Sequence, residues 1–348
     1  MCVPPVSVLA DPLAGATLTV FGAGAAREVR LGGGDAPVMT VYGDAGPRQI
    51  TLPSIAPPRD LLPARGAGAY FRLSGGYRHG RTRFDIAADP GGRATPNVLS
   101  ELTWNLPQAE IRLDAGWTHA SGFTLRGHLA VARVLSGGRA RDSDYALDGR
   151  EGEFSRSYSS PKGSVSRDYS LGAGWRFALP GDHDLTPMIG LARYAGKYRM
   201  RDGKQIVPPL GDFDGLDSRY EPEWRSGWIG LESESRPNGR LTVRASLKHH
   251  WFSYRATADW NLRGNFAHPA SFRHLGHGTG WEAGVGVDWR LGAPRSRHAL
   301  SLDLSGRRLR VRDGRDITYF ANGRSAETQL NGVDNGGWAL RAGYRLDY

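Results

Sequence analysis

The chain has 348 residues, a net charge of +10 and a mean hydropathy of −0.45, and its one cysteine excludes an intramolecular disulfide. No run of eighteen apolar residues is present, which excludes a transmembrane helix, but a transmembrane β-strand needs only about 9–11 residues, half of which can be polar. Because the arginines are scattered and not clustered, nucleic acid is disfavoured as a partner, and no metal or cofactor site is predicted.

Residues 1–66 are rich in proline, alanine and glycine and contain an internal repeat. The segment from Leu18 to Leu31 recurs from Met39 to Leu52, at an offset of 21 residues, and each copy reads as strand, glycine turn and strand. Proline residues between 57 and 63 predict a linker. We therefore expect an N-terminal β-repeat segment at 1–66 and a separate domain at 67–348.

From Ala67 onward, residues of opposite character alternate, most clearly in the last strand. Between Trp338 and Tyr348 the even positions are apolar and the odd positions include Arg341, Arg345 and Asp347. A period of two predicts a β-strand, since a helix has a period of 3.6. An arginine at the midplane of a lipid face costs about 2–4 kcal/mol, whereas a wet lumen tolerates it. The strand also ends the chain on an aromatic residue, which is typical of outer-membrane barrels.

The same alternation predicts ten strands, at about 68–87, 96–118, 123–135, 165–179, 184–203, 221–235, 240–257, 278–292, 297–320 and 334–348. Short connections alternate with long ones, the long ones at 136–164, 204–220, 258–277 and 321–333. The prediction is an all-β protein: a ten-stranded antiparallel β-barrel in the outer membrane of a Gram-negative bacterium. A soluble β-sandwich is the alternative fold. A passive pore is the weaker function, because charged side chains would fill so narrow a lumen. The scattered basic residues indicate either contact with lipopolysaccharide phosphates or a solvated basic lumen and loops.

Residues 68–348 resemble the omptins, ten-stranded outer-membrane proteases whose site lies at the extracellular rim. The resemblance is carried by the order of strands and loops, by Ser100-Glu-Leu-Thr-Trp104 in the second strand, and by Ser136-Gly-Gly followed by Asp142-Ser-Asp-Tyr145 after the third. In omptins the matching aspartate pair belongs to the active site, so the resemblance implies a site at Asp142 and Asp144.

The other half of the omptin site is an Asp-x-His pair after the seventh strand. An ungapped alignment on Leu247-Lys248 places Asp259 on that aspartate and Asn261 on the histidine. The family's histidine is thought to accept a proton from a water, and an asparagine amide cannot do so. Among the nearby histidines, His268 and His274 are alternatives that a folded loop could bring back to the site.

The resemblance also implies binding of lipopolysaccharide by basic residues on the outer wall, with Lys197 near one such position. A snorkelling lysine is the alternative explanation. Two functions stay open. The first is a proteolytically inactive barrel that serves as a surface scaffold, adhesin or accessory to polysaccharide export, and this is the hypothesis we favour. The second is an active endopeptidase for basic peptides with a modified aspartate site, which binds peptide or protein at the rim and depends on lipopolysaccharide.

Overall fold

The computed structural model describes residues 67–293 and 296–348, together with the backbone of five short strands before them. The chain divides into two compact units, Met1–Leu61 and Leu62–Tyr348. In the first unit, β1 (Thr17–Gly22) pairs with β2 (Gly24–Arg30), and β3 (Val38–Gly43) pairs with β4 (Gly46–Thr51). Each antiparallel hairpin coincides with one copy of the 21-residue repeat.

In the second unit the described residues form β-strands, the loops between them and one short turn of 3₁₀-helix, Asp148–Arg150. Its strands are β5 (Leu62–Pro63), β6 (Gly68–Ile86), β7 (Ser100–Thr118), β8 (Phe123–Arg133), β9 (Arg139–Tyr145), β10 (Glu153–Ser160), β11 (Val165–Trp175), β12 (Phe177–Leu179), β13 (His183–Val207), β14 (Gly211–Ser235), β15 (Leu241–Asp259), β16 (Phe272–Arg290), β17 (His298–Tyr319) and β18 (Ser325–Asp347). No helix among the described residues is long and apolar enough to cross a membrane.

The strands close into a ring of ten. β8 and β9 both pair with β7, and β10 and β11 both pair with β13, so these four segments form two strands interrupted at 134–138 and 161–164. β18 pairs antiparallel with β6, from Asp347 opposite Tyr70 to Leu330 opposite Ile86. This confirms the predicted ten-stranded antiparallel barrel, in which the last strand, β18, closes against the first barrel strand, β6.

The predicted long loops are largely wrong. β9 and β10 occupy much of the predicted loop at 136–164. β13 continues to Val207 and β14 begins at Gly211, so together they fill most of 204–220. β16 begins at Phe272 and β18 at Ser325, inside the loops predicted at 258–277 and 321–333. The polar composition of these segments predicts loops. They are instead strands that continue beyond the membrane, where both faces of a sheet can be polar.

The outward face fixes the position of the membrane. Aliphatic side chains such as Leu73, Leu171 and Ile189 are 59–66% exposed and form a belt. Aromatic side chains lie at both edges of this belt, as in outer-membrane barrels. Tyr77, Trp251, Trp281 and Trp338 lie toward the end with the extended strands, and Phe71, Trp117, Trp175, Trp289 and Tyr344 toward the end with both barrel termini. The extended strands therefore project on the extracellular side.

The lumen is filled in two layers. Nearer the periplasm, arginines and carboxylates pair with one another, for example Arg244 with Asp288 at 2.9 Å and Arg341 with Glu110 at 3.0 Å. Above them lies an aromatic layer in which Trp104 and Tyr220 stack, with ring centroids 5.1 Å apart, and Phe84 packs on both. These three side chains are at most 2% exposed, so they form a tightly packed layer inside the barrel.

Candidate functional site

The aspartate pair lies at the extracellular mouth, on the inner face of β9. Asp142 is opposite Leu102 and Asp144 is opposite Ser100 on β7. Leu102 is 3% exposed and belongs to the aromatic core cluster, so this face of the sheet points into the barrel. The outward side chains at the same level, Arg141 and Glu101 among them, are charged and lie above the aliphatic belt. The structure thus brings the two aspartates together, outside the membrane.

The electrostatics of the pair favour a retained proton. Burial of the carboxyl and the neighbouring charge of Asp144 raise the pKa of Asp142 to about 8, against the opposing effects of Arg263 and a hydrogen bond with Ser100. Its Oδ1 is shielded from solvent and meets no hydrogen-bond partner among the described residues. Near neutral pH these effects favour the protonated form of the Asp142 carboxyl.

Asp259, the last residue of β15, lies on the other face of the sheet. Ala256 and Ala258 on the same strand are buried in the lumen, so the side chain of Asp259 is directed outward. It accepts a hydrogen bond from Arg219 at 2.5 Å and contacts Nδ1 of His268 at 2.7 Å. Burial alone would raise the pKa of Asp259, but the hydrogen bonds from Arg219 and His268 lower it.

Asn261 braces a turn. Its Oδ1 accepts hydrogen bonds from the backbone N–H of Asp217 at 2.9 Å and the hydroxyl of Ser218 at 3.0 Å. Its Nδ2 donates to the carbonyl oxygen of Gly215 at 2.7 Å. Because both the oxygen and the nitrogen of the Asn261 amide make these hydrogen bonds, the side chain holds β14 against the start of the loop at 260–271.

The four residues of the expected site therefore form two separate groups. Asp142 and Asp144 share the mouth with Arg263, whereas Asp259 pairs with His268 and Arg219 on the outer side. Within the described part of the chain, no hydrogen bond or ion pair joins the first group to the second. The other candidate histidine, His274, is fully buried, with Nδ1 2.9 Å from the hydroxyl of Tyr220 and Nε2 3.1 Å from Asp316.

Lys197 lies on the outer wall, with Nζ 3.3 Å from Glu221. A larger basic cluster, which the sequence reasoning missed, lies beside it. Glu223 contacts Arg193 at 2.7 Å, Arg255 at 3.5 Å and Arg225, and we call these four residues the arginine cluster. The sequence does contain a signal for this cluster: three successive strands each place an arginine on the outward face, just beyond the apolar belt.

Comparison with known proteins agrees with this architecture. The family model for Protochlamydia outer membrane proteins matches residues 72–340. The outer membrane protease OmpT from Escherichia coli is similar in structure, with a TM-score of 0.69 and 15% identity over 82% of this chain and 99% of that chain. The translocator domain of the autotransporter NalP from Neisseria meningitidis matches with a TM-score of 0.36 and 14% identity over 82% of this chain and 90% of that chain. No match was found among curated proteins. The chain is an outer-membrane β-barrel protein, located in the outer membrane of a Gram-negative bacterium.

Proposed function

Since the chain belongs to the Protochlamydia outer membrane protein family, we propose that it is an outer-membrane barrel without peptidase activity that serves as a surface scaffold. The observation that carries this proposal is the separation of the two halves of the expected site. Asp142 and Asp144 face the lumen, while Asp259 faces outward and Asn261 is used in a turn. The lumen-facing positions at the end of β15 are Ala256 and Ala258.

Among the described residues, no histidine makes a hydrogen bond or ion pair with either aspartate of the pair, and His274 contacts Tyr220 and Asp316 instead. General base catalysis contributes typically about 10²–10⁴-fold and needs a group within hydrogen-bond reach of the attacking water. An alanine or an asparagine supplies no such group. Arg263 lies near Asp142 instead, and a guanidinium stays protonated and cannot accept a proton.

A peptidase assay tests the proposal. Purified protein in detergent with lipopolysaccharide is incubated with a dibasic fluorogenic peptide, with OmpT as the positive control. We expect no hydrolysis by the parent or by Asn261→His, because position 261 is held at the outer turn. Hydrolysis by the parent that is lost in Asp142→Asn, but kept in the matched outer-wall variant Asp334→Asn, would overturn the proposal.

A role as scaffold also needs exposed contact surfaces, and the extracellular rim supplies them. Leu147, Phe154, Leu210 and Leu262 are 47–76% exposed at or near the ends of the extended strands. Apolar side chains in these positions lie beyond the membrane, so lipid does not cover them. We propose them as contacts for a peptide or protein at the cell surface, and their joint replacement by serine should abolish such binding without unfolding the barrel.

Lipopolysaccharide is the lipid partner that we propose. Arg193 and Arg225 lie directly opposite each other on β13 and β14, a repulsive arrangement that Glu223 compensates. Each of the three guanidinium side chains is more than half exposed. Three arginines fixed around one carboxylate leave positive charge for an anion such as a lipid phosphate.

The wall below the arginine cluster suits acyl chains. An apolar groove of about 750 Å³ is lined by Leu113, Leu129, Leu171 and Leu191, and Arg193 and Arg225 also line it. A phosphorylated, acylated lipid can therefore place its chains in the groove and its phosphate on the arginines. Lys197, held by Glu221, adds a further cation on the same wall.

Lipid retention tests this partner. Replacement of Arg193, Arg225 and Arg255 by glutamine should weaken lipopolysaccharide binding roughly 100-fold, at about 1 kcal/mol for each cation near an anionic surface. The double variant Arg315→Gln/Arg324→Gln, at the tip of the β17–β18 hairpin, is the matched control and should bind as the parent does. Equal lipid phosphate after detergent exchange in both variants would exclude the arginine cluster.

An endopeptidase is the second candidate function, and one observation favours it. The structure holds both an aspartate pair at the mouth and an Asp259–His268 pair, although on different faces of the sheet. If a rearrangement of the loop at 260–271 joined them, His268→Gln would abolish hydrolysis. The same fluorogenic assay, run on His268→Gln beside the parent, separates this candidate from the scaffold.

A further inference from the structure

We infer that the periplasmic half of the lumen binds an oxyanion of phosphate size, at a site built around Arg72. This inference is independent of the proposed function. It concerns a cavity of about 120 Å³ enclosed by the inward faces of the barrel strands, below the aromatic layer. A single water molecule needs only about 10–15 Å³ of such cavity volume, so the cavity has room for a tetrahedral anion.

The charge of the cavity wall favours an anion. Eight cationic side chains line it against six carboxylates: Arg72, Arg112, Arg126, Arg176, Arg244, Lys248, Arg341 and Arg345 against Asp114, Asp184, Glu232, Glu234, Glu282 and Asp303. Three further carboxylates pair with these cations from behind the wall, Asp288 with Arg244 and Arg345, Glu110 with Arg341, and Asp347 with Arg345, so the positive excess is confined to the side chains that line the cavity. A positive excess in a water-poor lumen attracts an anion more strongly than it would in bulk water.

Arg72 supplies the donors. It is only 6% exposed, and its Nε and Nη1 meet no hydrogen-bond acceptor among the described residues. The surrounding carboxylates of Asp114, Asp303 and Asp288 lie 3.4, 3.7 and 3.8 Å from its terminal nitrogens, close enough for attraction but beyond good hydrogen-bond length. A buried guanidinium with unused donors is costly, and a planar fork of N–H groups matches the oxygens of a phosphate.

Neighbouring groups shape the site. The guanidinium of Arg345 lies over the ring of Tyr70, 4.2 Å from its centroid, and that of Arg126 lies 5.3 Å from the same centroid. Tyr70, near the start of β6, and Arg126, three residues into β8, lie close to the periplasmic strand ends. The cavity therefore lies on the periplasmic side of the packed aromatic layer, and we expect an anion to reach it from that end.

Two sources can supply this chemistry: free inorganic phosphate and the headgroup of a phospholipid. Binding to the parent in detergent is measured by ³¹P NMR, with inorganic phosphate in one arm and short-chain phosphatidic acid in the other. Chloride at matched ionic strength is the control anion. Saturable binding in either arm supports the inference, and the arm that binds identifies the source.

Variants assign the site. Arg72→Gln should weaken phosphate binding about tenfold or more, roughly the contribution of one charged hydrogen bond, whereas the exposed-tip variant Arg324→Gln should bind as the parent does. Arg72→Lys keeps the charge, offers fewer donors, and should fall between them. If Arg72→Gln does not fold, the parent titration and Arg72→Lys still decide. The inference would be overturned if the parent showed no binding specific to phosphate. It would also be overturned if Arg72→Lys and Arg72→Gln both bound phosphate as tightly as the parent does.

Discussion

Replacement of Asp142 by asparagine should stabilise the barrel at alkaline pH. The carboxyl of Asp142 is buried beside Asp144, and these two causes raise its pKa from 3.8 to about 8. An asparagine keeps the shape and carries no charge. The folded protein therefore no longer has to accommodate a second negative charge as the pH rises.

The sign and size follow from linkage. When folding raises the pKa of a carboxyl, the folded state binds the proton more tightly than the unfolded chain does. The protonated carboxyl therefore favours folding, and the ionised carboxyl opposes it. That advantage is fully present below about pH 4 and is lost as the pH rises to about 8. A displacement of this size corresponds to at most about 6 kcal/mol, at 1.36 kcal/mol per pH unit. With solvent and Arg263 near the rim, we expect Asp142→Asn to gain roughly 1–3 kcal/mol at pH 8.5 and little at pH 5.

Urea unfolding in lipid vesicles, followed by tryptophan fluorescence at pH 5, 7 and 8.5, measures this effect. The stability of the parent should fall more steeply with pH than that of Asp142→Asn. Asp144→Asn should also flatten the profile, because it removes the charge that raises the pKa of Asp142. Asp334→Asn, which alters an exposed ion pair on the outer wall, should retain the parent slope. Parallel profiles for the parent and Asp142→Asn would refute the reasoning.

Three further predictions concern the aromatic layer, the turn at 261 and the lipid face. Tyr220→Phe should cost about 1–3 kcal/mol in urea unfolding, because the buried Tyr254 hydroxyl and His274 Nδ1 lose their partner, whereas the exposed Tyr348→Phe should cost nothing measurable. Asn261→Ala should speed proteolytic cleavage near residues 215–218 by removing three hydrogen bonds, and an unchanged cleavage rate would contradict the bracing role. Leu171→Arg should cost about 2–4 kcal/mol of stability in vesicles because position 171 faces lipid. Thr257→Arg, above the belt, should be tolerated. Equal costs for the two variants would contradict the membrane position.

The fold was predictable because the membrane imposes a period of two on every strand. From Trp338 to Tyr348 the apolar face contacts lipid and the charged face contacts the ion-paired lumen, so the sequence separates the two faces cleanly. Beyond the belt this rule no longer holds. In the segment 204–220 the apolar residues Ile206, Phe213 and Leu216 do not recur with a period of two, and such a pattern does not distinguish a solvated strand from a loop.

The contacts within the arginine cluster and around Arg72 were not predictable, because each joins residues from several strands. Arg193, Glu223 and Arg255 come from β13, β14 and β15, and their contacts depend on the register of three strands. Register follows from the complete pattern of pairing, and no single segment of sequence specifies it.

The face of Asp259 shows how much depends on a single residue of register. On β15 the even positions Phe252, Tyr254 and Ala256 are buried in the lumen, so the odd positions, Asp259 included, face outward. An alignment that ignores this alternation places Asp259 and Asn261 opposite the aspartate pair, but a shift of one residue moves every side chain to the other face. The sequence alone left the assignment open, since lipid-facing Trp251 and lumen-facing Phe252 are both aromatic. The outward face of Asp259 therefore separates it from the carboxylate pair at the mouth, and Asn261 supplies no proton acceptor on either face.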